Sequence, residues 1–260
     1  MSDDVLECFL KSDEQQVESS NLYRDAAVYF ADIVYPVVLE KVCNLANQTN
    51  FYVCCEYDGY EAVVSDNLDN VKTHKVPEIQ LINNFLSDLD VEINIEWDAE
   101  KNDVFDVDGC LMMVDDEELI SHGLVYVNAK IPSDPFVAKR TIKALHQEIV
   151  CVLVHELRHA VQRIVWGWVH EESDDLKNHM SCISEIDARV EEMICCIERS
   201  QDTTLDVFES IATKYIKKYL LRNAKDISIE SFNSLFAKML KDHRDYFQKR
   251  IRVSYMSQPN

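Results

Sequence analysis

Residues 91–97, VEINIEW, alternate apolar and polar side chains, as a strand with one buried face does. GLVYVNAKI, residues 123–131, predicts a second strand. FYVCCEY and YEAVVS flank Asp58-Gly59 and predict a hairpin over 51–65, because Asp-Gly supplies the positive φ angles of a two-residue turn. The segment DVFDVDGCLMMV around Gly109 predicts a further strand or hairpin. Elsewhere the apolar spacing lengthens to that of a helix. Residues 4–18 predict a short helix and 21–48 a longer one, where Leu22, Ala26, Tyr29, Ile33 and Val37 recur and Pro36 marks a kink. Another is expected over 77–89, with Pro77 near its start.

Ser133-Asp134-Pro135 signals the next helix, since proline suits a first position whose amide has no intrahelical partner. No Gly or Pro follows before Trp166, so one long helix or two abutting ones are expected, with Gly167 as the stop. Ile186, Val190, Met193, Ile194 and Ile197 form one stripe and predict an amphipathic helix over 184–199. Two more helices are expected near 204–222 and 229–250. A mixed front half and an all-helical back half predict an α+β fold, with residues 1–200 as one domain and 201–260 as a helical extension packed on it.

Charge narrows the range of partners. Lys and Arg number 26 against 47 Asp and Glu, a net of −21 over 260 residues. Such a surface repels phosphate backbones and anionic lipid, so neither direct nucleic-acid binding nor membrane binding is expected. The first residues, MSDDVLECFLKSDEQQ, lack the basic region and apolar run of a signal peptide. Nine cysteines, an odd count with no CxxC, point to reduced thiols in a cytoplasmic protein and away from a thiolate metal site.

The chemistry sits in IVCVLVHELRHAVQRIV, residues 149–165. His155 and His159 are four apart, so on a helix both imidazoles reach one cation. Glu156, offset by about 100°, can hold a water beside that cation without ligating it, and so act as general base. The apolar run before the motif is what a buried active-site helix requires. Two surface histidines would leave it unexplained.

This segment resembles the active-site helix of the zincin metallopeptidases, and the resemblance spans roughly residues 123–195. It implies Zn2+ as cofactor, a protein or peptide as substrate, and a core made of a small mixed sheet, the active-site helix and a helical C-terminal part. It also implies that GLVYVNAKI is an edge strand whose backbone around Tyr126 and Ala129 pairs with an extended peptide. Catalytic zinc usually takes a third protein ligand. The metzincin branch would need Gly and His where Gln162 and Val165 stand. In the gluzincin branch a following helix supplies a glutamate, then a small residue and often an Asp. Glu185 and Ala188 match that pattern, and Glu185 follows His159 by 26 positions. Arg189 stands where that Asp would be, one turn from Glu185, placed to brace its carboxylate or steady an oxyanion.

Three rivals for the third ligand remain at this level. The apolar stripe of this helix points away from Glu185, and Asp187 lies nearer its edge, unless the helix is sandwiched. His170 and His179 are the others. A third histidine would resemble the SprT-like proteases, which place Gly beside it, as neither His170-Glu171 nor His179-Met180 does. The expectation is a cytoplasmic, gluzincin-like zinc endopeptidase with a selective protein target. Its alternative is an acidic interaction protein, a nucleic-acid mimic or a binder of a basic partner, with a structural or vestigial zinc site. Glu156 separates the two, since a structural site needs no base beside the metal.

Overall fold

A computed structural model describes residues 14–43, 51–58, 61–66, 71–75, 89–98, 105–114, 122–162, 182–200, 205–223 and 228–256. The helix expected over 77–89 and the stop at Gly167 lie outside these residues. So do His170 and His179. By its contacts the chain divides into two compact units: Leu22–Val165, and Met1–Asn21 together with Trp166–Asn260. The fold is α+β, and among the described residues no helix is long and apolar enough to cross a membrane.

Helix α1, Glu14–Cys43, runs through Pro36 and joins the two helices expected there into one. Ala27, Phe30, Ala31, Val34 and Val38 form its buried stripe. Six strands follow: β1 Phe51–Asp58, β2 Glu61–Asp66, β3 Val71–Lys75, β4 Leu89–Asp98, β5 Asp106–Val114 and β6 His122–Pro132. They form one mixed sheet in the order β3-β2-β1-β4-β6-β5. The β4 and β6 strands pair in parallel and every other pair is antiparallel. The β1–β2 hairpin closes on Asp58↔Glu61, so its two connecting residues are 59 and 60, one position later than the Asp58-Gly59 turn expected. Asp58 takes part in the ladder instead of the turn.

One expectation is overturned. GLVYVNAKI is an inner strand: β6 pairs with β4 on one side and β5 on the other, so the backbone from Tyr126 to Ala129 is already occupied. The strand at that end of the sheet is β5, the segment around Gly109. The inward side chains of β6, Val125, Val127, Ala129 and Ile131, are fully buried, as suits a strand with neighbours on both sides. On the other face Asn94 Nδ2 donates to Asn128 Oδ1 across the β4–β6 pair at 3.0 Å.

Helix α2, Pro135–Ala160, packs on β5 and β6. Asp134 caps it as its sequence indicated, with the carboxylate accepting from the Phe136 amide at 2.8 Å and Pro135 opening the helix. A single helix fills the space to Ala160, where two abutting ones were the other option. His146 on α2 meets Asp32 of α1, Nε2 to Oδ1 at 3.0 Å.

The second unit holds α3 Ile183–Ser200, α4 Leu205–Asn223 and α5 Ile229–Met256. Its core joins the α3 stripe of Ile186, Val190, Met193 and Ile197 to Phe208 and Ile216 of α4 and to Met239 and Phe247 of α5. Phe208 and Phe247 stack with centroids 3.8 Å apart. Ser228 caps α5, its Oγ accepting from the Ser231 amide at 3.2 Å.

Candidate metal centre

From Ile149 onward α2 is buried on most sides: Val150, Cys151, Leu153, Val154, Leu157 and Ala160 are all inaccessible. That apolar wall is why this stretch stays helical and why the motif histidines stand in a sheltered place. His155 and His159 turn toward each other, their Nε2 atoms 3.1 Å apart and their rings at 81°. Two imidazole nitrogens bound to one tetrahedral zinc at 2.0–2.1 Å would be about 3.3 Å apart, so the pair fits a zinc ion as it stands. His159 is also set to the right tautomer. Its Nδ1–H donates to Gln162 Oε1 at 2.9 Å, leaving the Nε2 lone pair for a metal. Gln162 is thus a supporting residue for the His159 ring. Its spacing of three from His159 was the available signal.

Glu156 lies beneath the edge strand, 7% exposed. Gly109 of β5 is what lets the two approach. A Cβ built there would sit 2.4 Å from Val152 Cγ1, 2.9 Å from Glu156 Cγ and 3.0 Å from Glu156 Oε1. No side chain fits. In the sequence Gly109 falls inside a strand pattern, where a glycine signals close backbone approach. Beside it, the Cys110 thiol has its pKa pushed up by partial burial and then by the Glu156 charge. A thiol held protonated is a poorer nucleophile than a thiolate.

In the other unit, α3 carries the third candidate. Ser184, Glu185, Ile186, Asp187 and Ala188 are all buried in succession, so burial here is not confined to the apolar stripe. Glu185 is held by Arg189, Nη2 to Oε2 at 3.0 Å, the bracing contact expected from their spacing. Asp187 is engaged otherwise: Tyr246 Oη donates to its Oδ1 at 2.6 Å. Among the described residues, His155, His159 and Glu185 form the group that could hold a metal ion, with one donor atom from each and all within 4.8 Å of one another. Asp187 is not in that group.

His243, fully buried on α5, donates from Nδ1 to the Met239 carbonyl at 2.7 Å. Burial, and then the Arg189 charge, lower its pKa from 6.5 to about 4, against smaller opposing effects of that carbonyl and Glu185. The folded value lies below the unfolded one, so between them the unfolded chain binds the extra proton. The stability due to this group is therefore full above pH 6.5 and falls toward pH 4, by about 1.4 kcal/mol per unit at most. With chelator present, so that metal release does not contribute, the urea midpoint should drop between pH 7 and pH 5. In His243→Leu that drop should be distinctly shallower.

Compared with models of protein families, with curated proteins and with solved structures, the chain has no significant match.

Proposed function

We propose that this protein is a zinc-dependent endopeptidase of gluzincin-like type, acting on a selective protein target in the cytoplasm. His155, His159 and Glu185 hold the zinc, and Glu156 is the general base. The observation that carries the reading is the converging His155 and His159 pair, with a buried carboxylate between them in sequence and a glycine of β5, Gly109, over that carboxylate. Two imidazole nitrogens and one carboxylate oxygen are the kind of donor set that catalytic zinc takes, with fewer protein ligands than a closed structural site has.

Bound by these residues, zinc would supply Lewis-acid chemistry, acting on the scissile carbonyl and lowering the pKa of a nearby water. Glu156 takes the proton from the attacking water and passes it to the departing amine nitrogen, so that one carboxylate serves both halves of the reaction. The buried setting of Glu156 strengthens its interactions with the reacting groups. The substrate adds as an extended strand to the outer edge of β5, where main-chain hydrogen bonds give affinity without demanding a side-chain sequence. A chain laid there passes Gly109 and so passes the base. A net charge of −21 favours a target with basic residues around the cleavage point.

The test is metal analysis of purified protein beside cleavage of a mixture of unstructured basic proteins, with and without chelator. Zinc near one per chain and chelator-sensitive peptide-bond cleavage are expected. Zinc retained with no cleavage of any substrate would favour the acidic interaction protein instead.

A further inference from the structure

We propose that Arg189 is a positioning residue for the metal centre, clamped between Glu185 and the ring of Tyr219, and that the C-terminal helices are the mount for this clamp. The inference rests on the reading of Glu185 as third ligand.

A glutamate has several freely rotating bonds, so a glutamate ligand must be held if it is to present one oxygen to a cation. Arg189 holds it from the side. Its Nη2 takes Glu185 Oε2 at 3.0 Å, with the two side chains only 12% and 4% exposed. A guanidinium could itself swing, but here its Cζ lies 4.1 Å from the centroid of the Tyr219 ring on α4. The ring face attracts the cation and fixes its plane, while the carboxylate meets it at the edge. Arg189 Nε makes no hydrogen bond among the described residues, so the carboxylate and the ring set its orientation.

The mount continues into α5. Tyr246 ties α3 to α5 through Asp187, two residues along from Glu185. His243, one turn before Tyr246, is close enough to Arg189 for that charge to act on its proton affinity. Residues 201–260 thus act as more than a peripheral extension: their side chains reach the residue that orients a ligand.

The experiment is a zinc-affinity series by chelator competition, on the full chain. Partners that orient metal ligands typically contribute ten- to hundred-fold in affinity. Arg189→Gln should weaken zinc binding by about that factor, and Tyr219→Leu by a smaller factor in the same direction. Tyr219→Phe keeps the ring face and should bind as wild type. Arg189→Lys, which keeps the charge but loses the planar fork, covers the case in which Arg189→Gln does not fold, and should fall between the two. The decisive readout is non-additivity. In a Glu185→Ala background, Arg189→Gln should cost nothing further, because the arginine acts only through that carboxylate. Equal losses in both backgrounds, or Tyr219→Phe as damaging as Tyr219→Leu, would overturn the clamp. Full affinity in Glu185→Ala would overturn the third-ligand reading instead, and this inference with it.

Discussion

Glu156→Gln should abolish cleavage while leaving zinc at wild-type stoichiometry, whereas His155→Ala and His159→Ala should each release the metal. The two outcomes differ because the residues do different work. In the proposed site the histidine nitrogens, 3.1 Å apart, are to supply the coordination energy, and removing either would leave too few donors to hold an ion. The Glu156 amide analogue keeps the shape of the side chain but cannot accept a proton. General-base catalysis contributes about 10²–10⁴-fold, so turnover should fall at least that far. Metal analysis and peptide turnover on the same preparations check both parts. Full zinc content in either histidine variant would remove the metal assignment, and undiminished turnover in Glu156→Gln would remove the base.

The second large effect is expected at Gly109. In Gly109→Val the new Cβ would fall 2.4 Å from Val152 Cγ1 and 3.0 Å from Glu156 Oε1, where no real Cβ can remain. Either β5 lifts away from α2 or the Glu156 side chain is pushed aside. Overpacking of this sort costs about 1–3 kcal/mol, which for a chain of this size lowers Tm by several degrees. Activity should suffer more than stability. A displacement of about 1 Å at a catalytic group can cost 10²-fold, and the same change would distort the edge proposed to bind substrate. Met112→Ala, at an exposed position on the same strand, is the control and should be close to wild type in both respects. Thermal unfolding beside turnover separates the two effects. A Gly109→Val variant with normal turnover would mean that β5 has no part in the site.

Much of this molecule was readable before any coordinates. Helix α2 follows from local chemistry: the Asp134 cap, Pro135 at its first position and no breaker for the rest of its length. The facing of His155 and His159 follows from the helical repeat alone, because residues four apart share a face in any α-helix. The Glu185–Arg189 contact is local in the same sense. Even the doubt about Glu185 was local in origin. An apolar stripe indicates the face turned to one core, and says nothing of burial beyond that stripe, as in α3 over residues 184–188.

Strand order was not readable. The segments 106–114 and 123–131 both fit a buried strand, and nothing in either pattern says which will stand at the end of the sheet. That depends on hydrogen-bond pairing between segments far apart in the chain, here β4 with β6 across 34 residues. The same holds for Tyr246 on Asp187, 59 residues away, and for Tyr219 on Arg189. Such contacts involve unremarkable residues in amphipathic helices, whose partners are set by packing and not by spacing. The sequence by itself determined the helix that carries His155, Glu156 and His159 and the shared face of its two histidines, because those are properties of one helical turn. Only the tertiary structure decided which strand lies over Glu156 and which side chains hold the Glu185–Arg189 pair, because those are pairings between distant surfaces.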